Sequence, residues 1–123
     1  MKFHLQTPSG QNLFSGHGPG YVAVNGERYT KSLLVTPTSI VVDWPASSFE
    51  SLTAEHFAHF ATFEPDLVVL GTGARFRLPP VEFSRSLLAA GIGLEAMGNA
   101  AACRTYNILL GEGRNVIAAV ILG

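Results

Sequence analysis

The chain predicts an α/β fold: a layered domain with a mixed central sheet, helices packed on it and a β-rich amino-terminal part. Three observations carry this expectation. The apolar run Leu67–Leu70 is short, unbroken and followed by glycine, as a strand covered on both faces is. Around it the second half of the chain alternates strand-like and helix-like periodicities. The first half holds only strand-length segments separated by turn residues.

Taken in order, Ser15–Gly20 is rich in glycine and reads as a flexible loop. Tyr21–Val24 and Glu27–Thr30 flank Asn25-Gly26, a dipeptide that supplies the positive φ angles of a type I′ turn, so a β-hairpin is predicted. Leu33–Val35 and Ile40–Val42 are further strands, separated by Thr36–Ser39. A first helix begins at Thr53, whose hydroxyl suits the cap, with Glu55 at the positive end of the dipole. Leu52 and Phe57 stand at the spacing of a hydrophobic staple. Ala54, Phe57, Phe60 and Ala61 form its buried face.

After the Leu67–Leu70 strand, Pro80 opens a helix that carries Phe83, Leu87 and Ala90 on one face and ends at Gly91. Ile92–Met97 alternates as a strand. Leu67–Gly71 and Ile92–Met97 are apolar enough to be covered on two faces as neighbouring interior strands, and the short helical connection between them favours a right-handed parallel crossover. Asn99 caps a last helix over about 100–110, stopped by Gly111 and Gly113, and Asn115–Leu122 is the final strand.

At 123 residues, with no repeat and no internal linker, residues 1–123 form a single domain. A net charge of -1 leaves no electrostatic footprint for nucleic acid. Charged residues are 14% of the chain, against roughly 25% in ordinary soluble domains. Mean hydropathy is +0.28. A compact alanine-rich core accounts for such a composition, and so does an apolar surface covered by another subunit or partner.

The single cysteine, Cys103, excludes an internal disulfide and a cysteine-built metal cage. Met1–Gln6 lacks the apolar stretch of a secretory signal. The longest apolar run, Val116–Leu122, is far short of the about 20 residues that span a bilayer. A soluble, cytoplasmic protein without a membrane span is expected.

Candidate chemistry centres on Gly71, Thr72, Gly73 and Ala74, which follow a strand where open α/β sheets bind ligands. Glycines there let backbone amides approach an anion. The loop is neither G-x-G-x-x-G nor a P-loop, since no third glycine and no Gly-Lys-Ser/Thr follows. Arg75 and Arg77 suit planar anions, and Glu95, if buried, needs a partner such as one of these arginines. A tight packing turn with structural ion pairs is the competing reading.

Cys103 falls beside the stripe Ala102, Tyr106, Leu109 and Leu110, where a cysteine is a small buried hydrophobe. The helix start and Arg104 favour its thiolate, but no histidine is placed as its base. Glu55, His56 and His59 share a helix face without the spacing of a zincin helix. No metal site and no cofactor is expected.

Larger segments carry a resemblance. They are Tyr21–Gly26, Leu33–Pro37, Trp44-Pro45, Leu70-Gly-Thr-Gly-Ala-Arg75 with Pro79-Pro80, Gly91-Ile-Gly-Leu-Glu-Ala-Met97 and Ala101-Ala-Cys-Arg-Thr-Tyr-Asn107. Together they resemble the family of small single-domain proteins that includes the mitochondrial respiratory complex I (NADH dehydrogenase) assembly factor 3. The resemblance covers nearly the whole chain. It implies a layered α/β domain on a mixed sheet and a non-catalytic protein that acts with a partner protein. Many bacterial members carry Met-Asp-Thr where this chain has Met97-Gly98-Asn99.

Two functions follow. The first is a non-catalytic interaction or assembly protein, with a protein partner or a second copy of itself, which supports respiratory complex assembly. The alternative is a small-molecule or anion-binding protein, an enzyme included, with a ligand at Gly71, Thr72, Gly73, Ala74, Arg75, Glu95 and Arg104.

Overall fold

The computed structural model describes residues 10–42 and 44–122. The amino-terminal stretch Met1–Gln6, with His4, lies outside them. Eight strands, β1 (Phe14–Gly18), β2 (Tyr21–Val24), β3 (Glu27–Tyr29), β4 (Leu33–Val35), β5 (Ile40–Val41), β6 (Leu67–Gly71), β7 (Gly93–Met97) and β8 (Val116–Val120), combine with helices α1 (Ala54–Ala61), α2 (Arg85–Ala89) and α3 (Asn99–Gly111). They build a mixed α/β domain. Strands β1-β2-β3 form a small antiparallel sheet, and the main sheet runs β5-β4-β8-β6-β7. In the main sheet β6 is parallel to both β8 and β7, while β4 is antiparallel to β8 and β5.

Side-chain alternation along β6 and β8 divides the interior into two cores. Leu67, Val69, Val116, Ala118 and Val120 face α3 and the small sheet, packing with Phe14, Val22 and Tyr106. Val68, Leu70, Ile117 and Ala119 face the other way, toward Phe57 and Phe60 of α1 and Leu87 of α2. The main sheet is therefore covered on both sides, which is why β6 and β8 are apolar at every position.

The Asn25-Gly26 turn forms as expected, with φ of 54° and 87° at its two residues. Ser15–Gly20 does not remain a loop, because β1 pairs with β2. Two anchors hold this glycine-rich strand. Phe14 is buried edge-on against Tyr106, with ring centroids 5.3 Å apart. The Asn107 carboxamide accepts from the Phe14 amide at 2.9 Å and donates to its carbonyl at 2.8 Å, as a neighbouring strand would.

The segment after Pro80 is not one helix. A 3-10 turn over Val81–Ser84 precedes α2, and Ala90 is exposed rather than on the buried face. The tighter first turn brings Phe83 to 5.8 Å from Phe57. A larger correction concerns β7. It lies beside β6 and parallel to it, but at the edge of the sheet. Gly93 and Glu95 are exposed and Leu94, Ala96 and Met97 only half-buried, so it is not interior. Among the described residues no helix is long and apolar enough to cross a membrane.

Candidate functional site

The parallel strands β6 and β8, and the entry to α3 after β7, bring three chain segments together at one end of the sheet. Thr72 organises the loop that leaves β6. Its amide donates to the Met97 carbonyl at 2.8 Å. Its hydroxyl, 3% exposed with its residue, donates to the Arg75 carbonyl at 2.7 Å and accepts from the Arg77 amide at 3.0 Å. The loop is thus wound around a buried threonine. Gly73, at φ 109°, occupies a backbone region that suits only glycine.

Asn99 then ties the loop to its neighbours. Its amide donates to the Gly73 carbonyl at 2.8 Å, and its side-chain oxygen accepts from the Gly73 amide at 3.1 Å. Its side-chain nitrogen donates to the Ile121 carbonyl at 2.9 Å. The expectation that Asn99 caps α3 is therefore corrected: Gly98 holds the cap position, and the carboxamide is spent on the loop and the exit of β8. Gly71 lies directly beneath, where a Cβ would come within 2.5 Å of Asn99 Oδ1 and 3.3 Å of Ala102 Cβ. Only glycine allows the clip to close there.

These contacts frame a hollow of about 360 Å³, lined among others by Phe49, Glu50, Gly73, Arg75, Arg77 and Asn99. Arg77 pairs with Glu50 at 2.7 Å, and its guanidinium lies over the Phe49 ring, 4.2 Å from the centroid. The hydrogen bond from Arg77 holds the Glu50 carboxyl below its ordinary range, with the charges of Arg77 and then Arg75 adding to it. The lining thus carries two arginines and one carboxylate, of which Arg77 and Glu50 are paired.

Of the residues singled out from the sequence, Thr72, Gly73, Ala74 and Arg75 line this hollow. Gly71 lies under it. Glu95 and Arg104 are exposed and do not line it. The loop's ion pair is Arg77–Glu50, not a pair with Glu95. Because Glu95 sits on an edge strand, water solvates its carboxylate and no buried partner is required. Glu50 and Phe49 had no distinguishing pattern in the sequence. They come from a 3-10 turn over Phe49–Ser51, brought to the loop by folding alone.

The remaining polar side chains singled out from the sequence lie apart from this hollow. Cys103 is 2% exposed, and burial pushes its thiol up to about 12 against the pull of Arg104. His56 packs edge-on to Trp44 at 5.7 Å and accepts the Thr53 amide at Nδ1, 3.1 Å away, at the start of α1. His59 lies against Phe63. Among the described residues no three His, Cys, Asp or Glu side chains cluster as metal ligands would.

A second surface lies beside the hollow, in the chain between β6 and β7. Phe76, Leu78, Val81 and Leu88 are 57%, 71%, 77% and 79% exposed. Leu78, Pro79, Pro80 and Val81 face Leu94 and Ala96 of β7 across a groove of about 120 Å³. All four lie on the crossover between β6 and β7, which returns the chain to the edge strand.

Known proteins of the same architecture exist. A crystal structure of a Bordetella parapertussis protein superposes with a TM-score of 0.86 at 38% identity, covering 92% of this chain and 97% of that one. The 13 kDa major membrane protein of Francisella tularensis is 28% identical over 89% of each chain. The bovine NADH dehydrogenase (ubiquinone) 1 alpha subcomplex assembly factor 3 is 35% identical over 94% of this chain. The chain spans 63% of the bovine factor's length. A family model described as a protein of unknown function (DUF498/DUF598) matches residues 14–121. On these matches the chain belongs to the DUF498/DUF598 family, which includes the mitochondrial complex I assembly factor 3 and uncharacterised bacterial proteins.

Proposed function

We propose that this protein works in the cytoplasm by binding another protein, as an assembly or interaction factor, and not by turning over a substrate. The exposed apolar segment from Phe76 to Leu88 carries this reading. Covering a large apolar side chain is worth roughly 1.5–3 kcal/mol. Four such side chains along one segment therefore supply a driving force that a monomer leaves unused. The name of the bovine relative, an assembly factor, supports the same reading and points to a respiratory complex.

The experiment is deletion of the gene and re-expression of wild type or of a Leu78→Asp/Val81→Asp variant, followed by quantification of assembled respiratory complex. Loss of complex that wild type restores and the folded variant does not is the expected result. Normal complex levels without the gene contradict the respiratory role.

A second reading is favoured by the hollow, where Arg75 and Arg77 outnumber Glu50. It is that the loop binds a small carboxylate or phosphate. Titration with inorganic phosphate and with short-chain carboxylates, against an Arg75→Ala control, distinguishes it. Saturable binding that the variant loses supports this second reading.

A further inference from the structure

We infer that β7 is a docking strand: an extended segment of a partner protein adds to its open edge, with apolar side chains in the groove beside Val81 and a basic residue opposite Glu95. The inference rests on the protein-binding reading above and states how that binding is made.

The backbone gives the first argument. Among the described residues, strand β7 is bordered on one side only, by β6. The Gly93 amide donates to the Asp66 carbonyl at 3.1 Å, and the Met97 carbonyl accepts from the Thr72 amide at 2.8 Å. Residues 93, 95 and 97 therefore turn their backbone groups toward β6. Alternation along the strand sets the N–H and C=O of Leu94 and Ala96 on the open side. Among the described residues no backbone or side-chain group of the chain pairs with them. Edge strands are ordinarily blunted by charged side chains, proline or a bulge, or covered by another element. Within Gly93–Met97 there is no proline and no bulge, and the one charge, Glu95, guards the edge against like-charged strands while leaving it open to a basic one.

The side chains give the second. Leu94 and Ala96 project toward the core shared with α1 and α2, and they line the groove with Leu78, Pro79, Pro80 and Val81. A strand laid against the edge would send alternate side chains into this groove. Main-chain bonds would supply affinity and the groove would select apolar residues at every second position.

Charge decides the occupant. A second copy pairing through all four free groups would be antiparallel and centred on Glu95, setting Glu95 directly opposite its symmetry mate. Opposed side chains stand about 4.5–5.5 Å apart at Cβ, where like charges destabilise the pair. The same position rewards a lysine or arginine. The occupant is therefore a different chain, with an apolar–basic–apolar alternation.

The test begins with an NMR titration of the full chain with two blocked synthetic peptides, Thr-Val-Lys-Val-Thr and Thr-Val-Glu-Val-Thr. The lysine peptide is expected to shift the Leu94 and Ala96 amides and to bind more tightly. Glu95→Lys should invert the preference. Ala96→Pro removes an N–H that the fold does not use, an edge position where proline is tolerated. It should weaken the lysine peptide by about tenfold or more while melting as wild type does. Should that variant fail to fold, the Glu95→Lys inversion decides alone. Shifts confined to other residues, or no inversion, overturn the docking strand.

Co-purification of tagged chains from the native host then separates this inference from the broader one. Loss of the same partner by Ala96→Pro and by Leu78→Asp/Val81→Asp supports both. Loss by the double variant alone leaves the protein-binding reading standing and removes the added strand. Loss by neither removes both.

Discussion

The Asn99 carboxamide joins the glycine loop to the exit of β8, and Gly71 leaves the space in which it does so. The two residues form one device, and their energetics should be coupled. Asn99→Ala leaves the Gly73 amide and the Ile121 carbonyl without partners and should cost about 1–3 kcal/mol. Gly71→Ala drives a methyl into Asn99 and Ala102 and should cost a similar amount, about 1–3 kcal/mol, by overpacking. Once Asn99 is truncated, the added methyl meets less. The double variant should therefore lose less than the sum of the singles in urea unfolding. Strict additivity would mean that the clip does not depend on the missing side chain. Local sequence places Asn99 at the start of a helix and marks it as that helix's cap, whereas its carboxamide serves the glycine loop. A cap and a clip need the same amide, and only the long-range position of Gly73 distinguishes them.

Cys103 was legible from its place beside an apolar stripe, because burial on a helix follows from local periodicity. With its thiol pushed up to about 12 by burial, native protein should react with a thiol reagent at pH 8 far more slowly than denatured protein. Labelling at equal rates would contradict the packing described here. The same burial has a pH signature. The unfolded thiol ionises near 9 while the folded one holds its proton to about 12. Between those values the folded chain binds more protons, so stability falls as pH rises, by about 1.4 kcal/mol per pH unit. Tyr106, also pushed up by burial, adds to the loss above pH 10. Cys103→Ala should flatten the part of the slope that begins near pH 9.

At the scale of elements, the Asn25-Gly26 hairpin, α1 and β6 were all readable, since each is written in a few adjacent residues. The reading erred where an element depends on a distant neighbour. Strand β1 looks like a glycine loop until Asn107, far along the chain, supplies the missing hydrogen bonds. The alternation of Ile92, Leu94 and Ala96 marks a strand, but the apolarity of the segment suggests cover on two faces that β7 does not have. Its edge position is set by sheet order, which spacing does not encode. Gly93 and Glu95, exposed in the structure, were the local trace of it.

The start of α1 makes a prediction of its own. Burial pushes His56 below its ordinary 6.5, and its Nδ1 must stay unprotonated to accept the Thr53 amide. The unfolded chain takes up its proton near 6.5 and the folded chain only at lower pH. In that interval the unfolded state binds more protons, so the stability present above 6.5 is lost as pH falls below it. Melting temperature followed from pH 7 downward should decline in wild type and decline less in His56→Asn. Parallel curves would exclude His56 as the source.

The whole molecule sets its covered and uncovered surfaces in sharp contrast. Both faces of the main sheet are filled, while the segment between β6 and β7 exposes Phe76, Leu78, Val81 and Leu88 next to an unpaired strand. The low charge content fits a compact apolar core and an apolar surface alike, and composition has no address with which to locate either. The glycine loop was located correctly, because a turn after an apolar strand is a local pattern. Glu95 and Arg104, grouped with it in the sequence reading, lie outside the hollow, since side-chain direction on an edge strand and on a helix depends on tertiary placement.

If this exposed segment is where the protein meets its partner, a probe placed on it will capture that partner. The most direct measurement is photo-crosslinking in living cells of the native host, with a crosslinking residue in place of Val81 and, as control, in place of Glu112 at the exposed end of α3. A discrete adduct with a particular protein is expected from position 81 and none from position 112. No adduct at 81, or the same diffuse products from both positions, would contradict it.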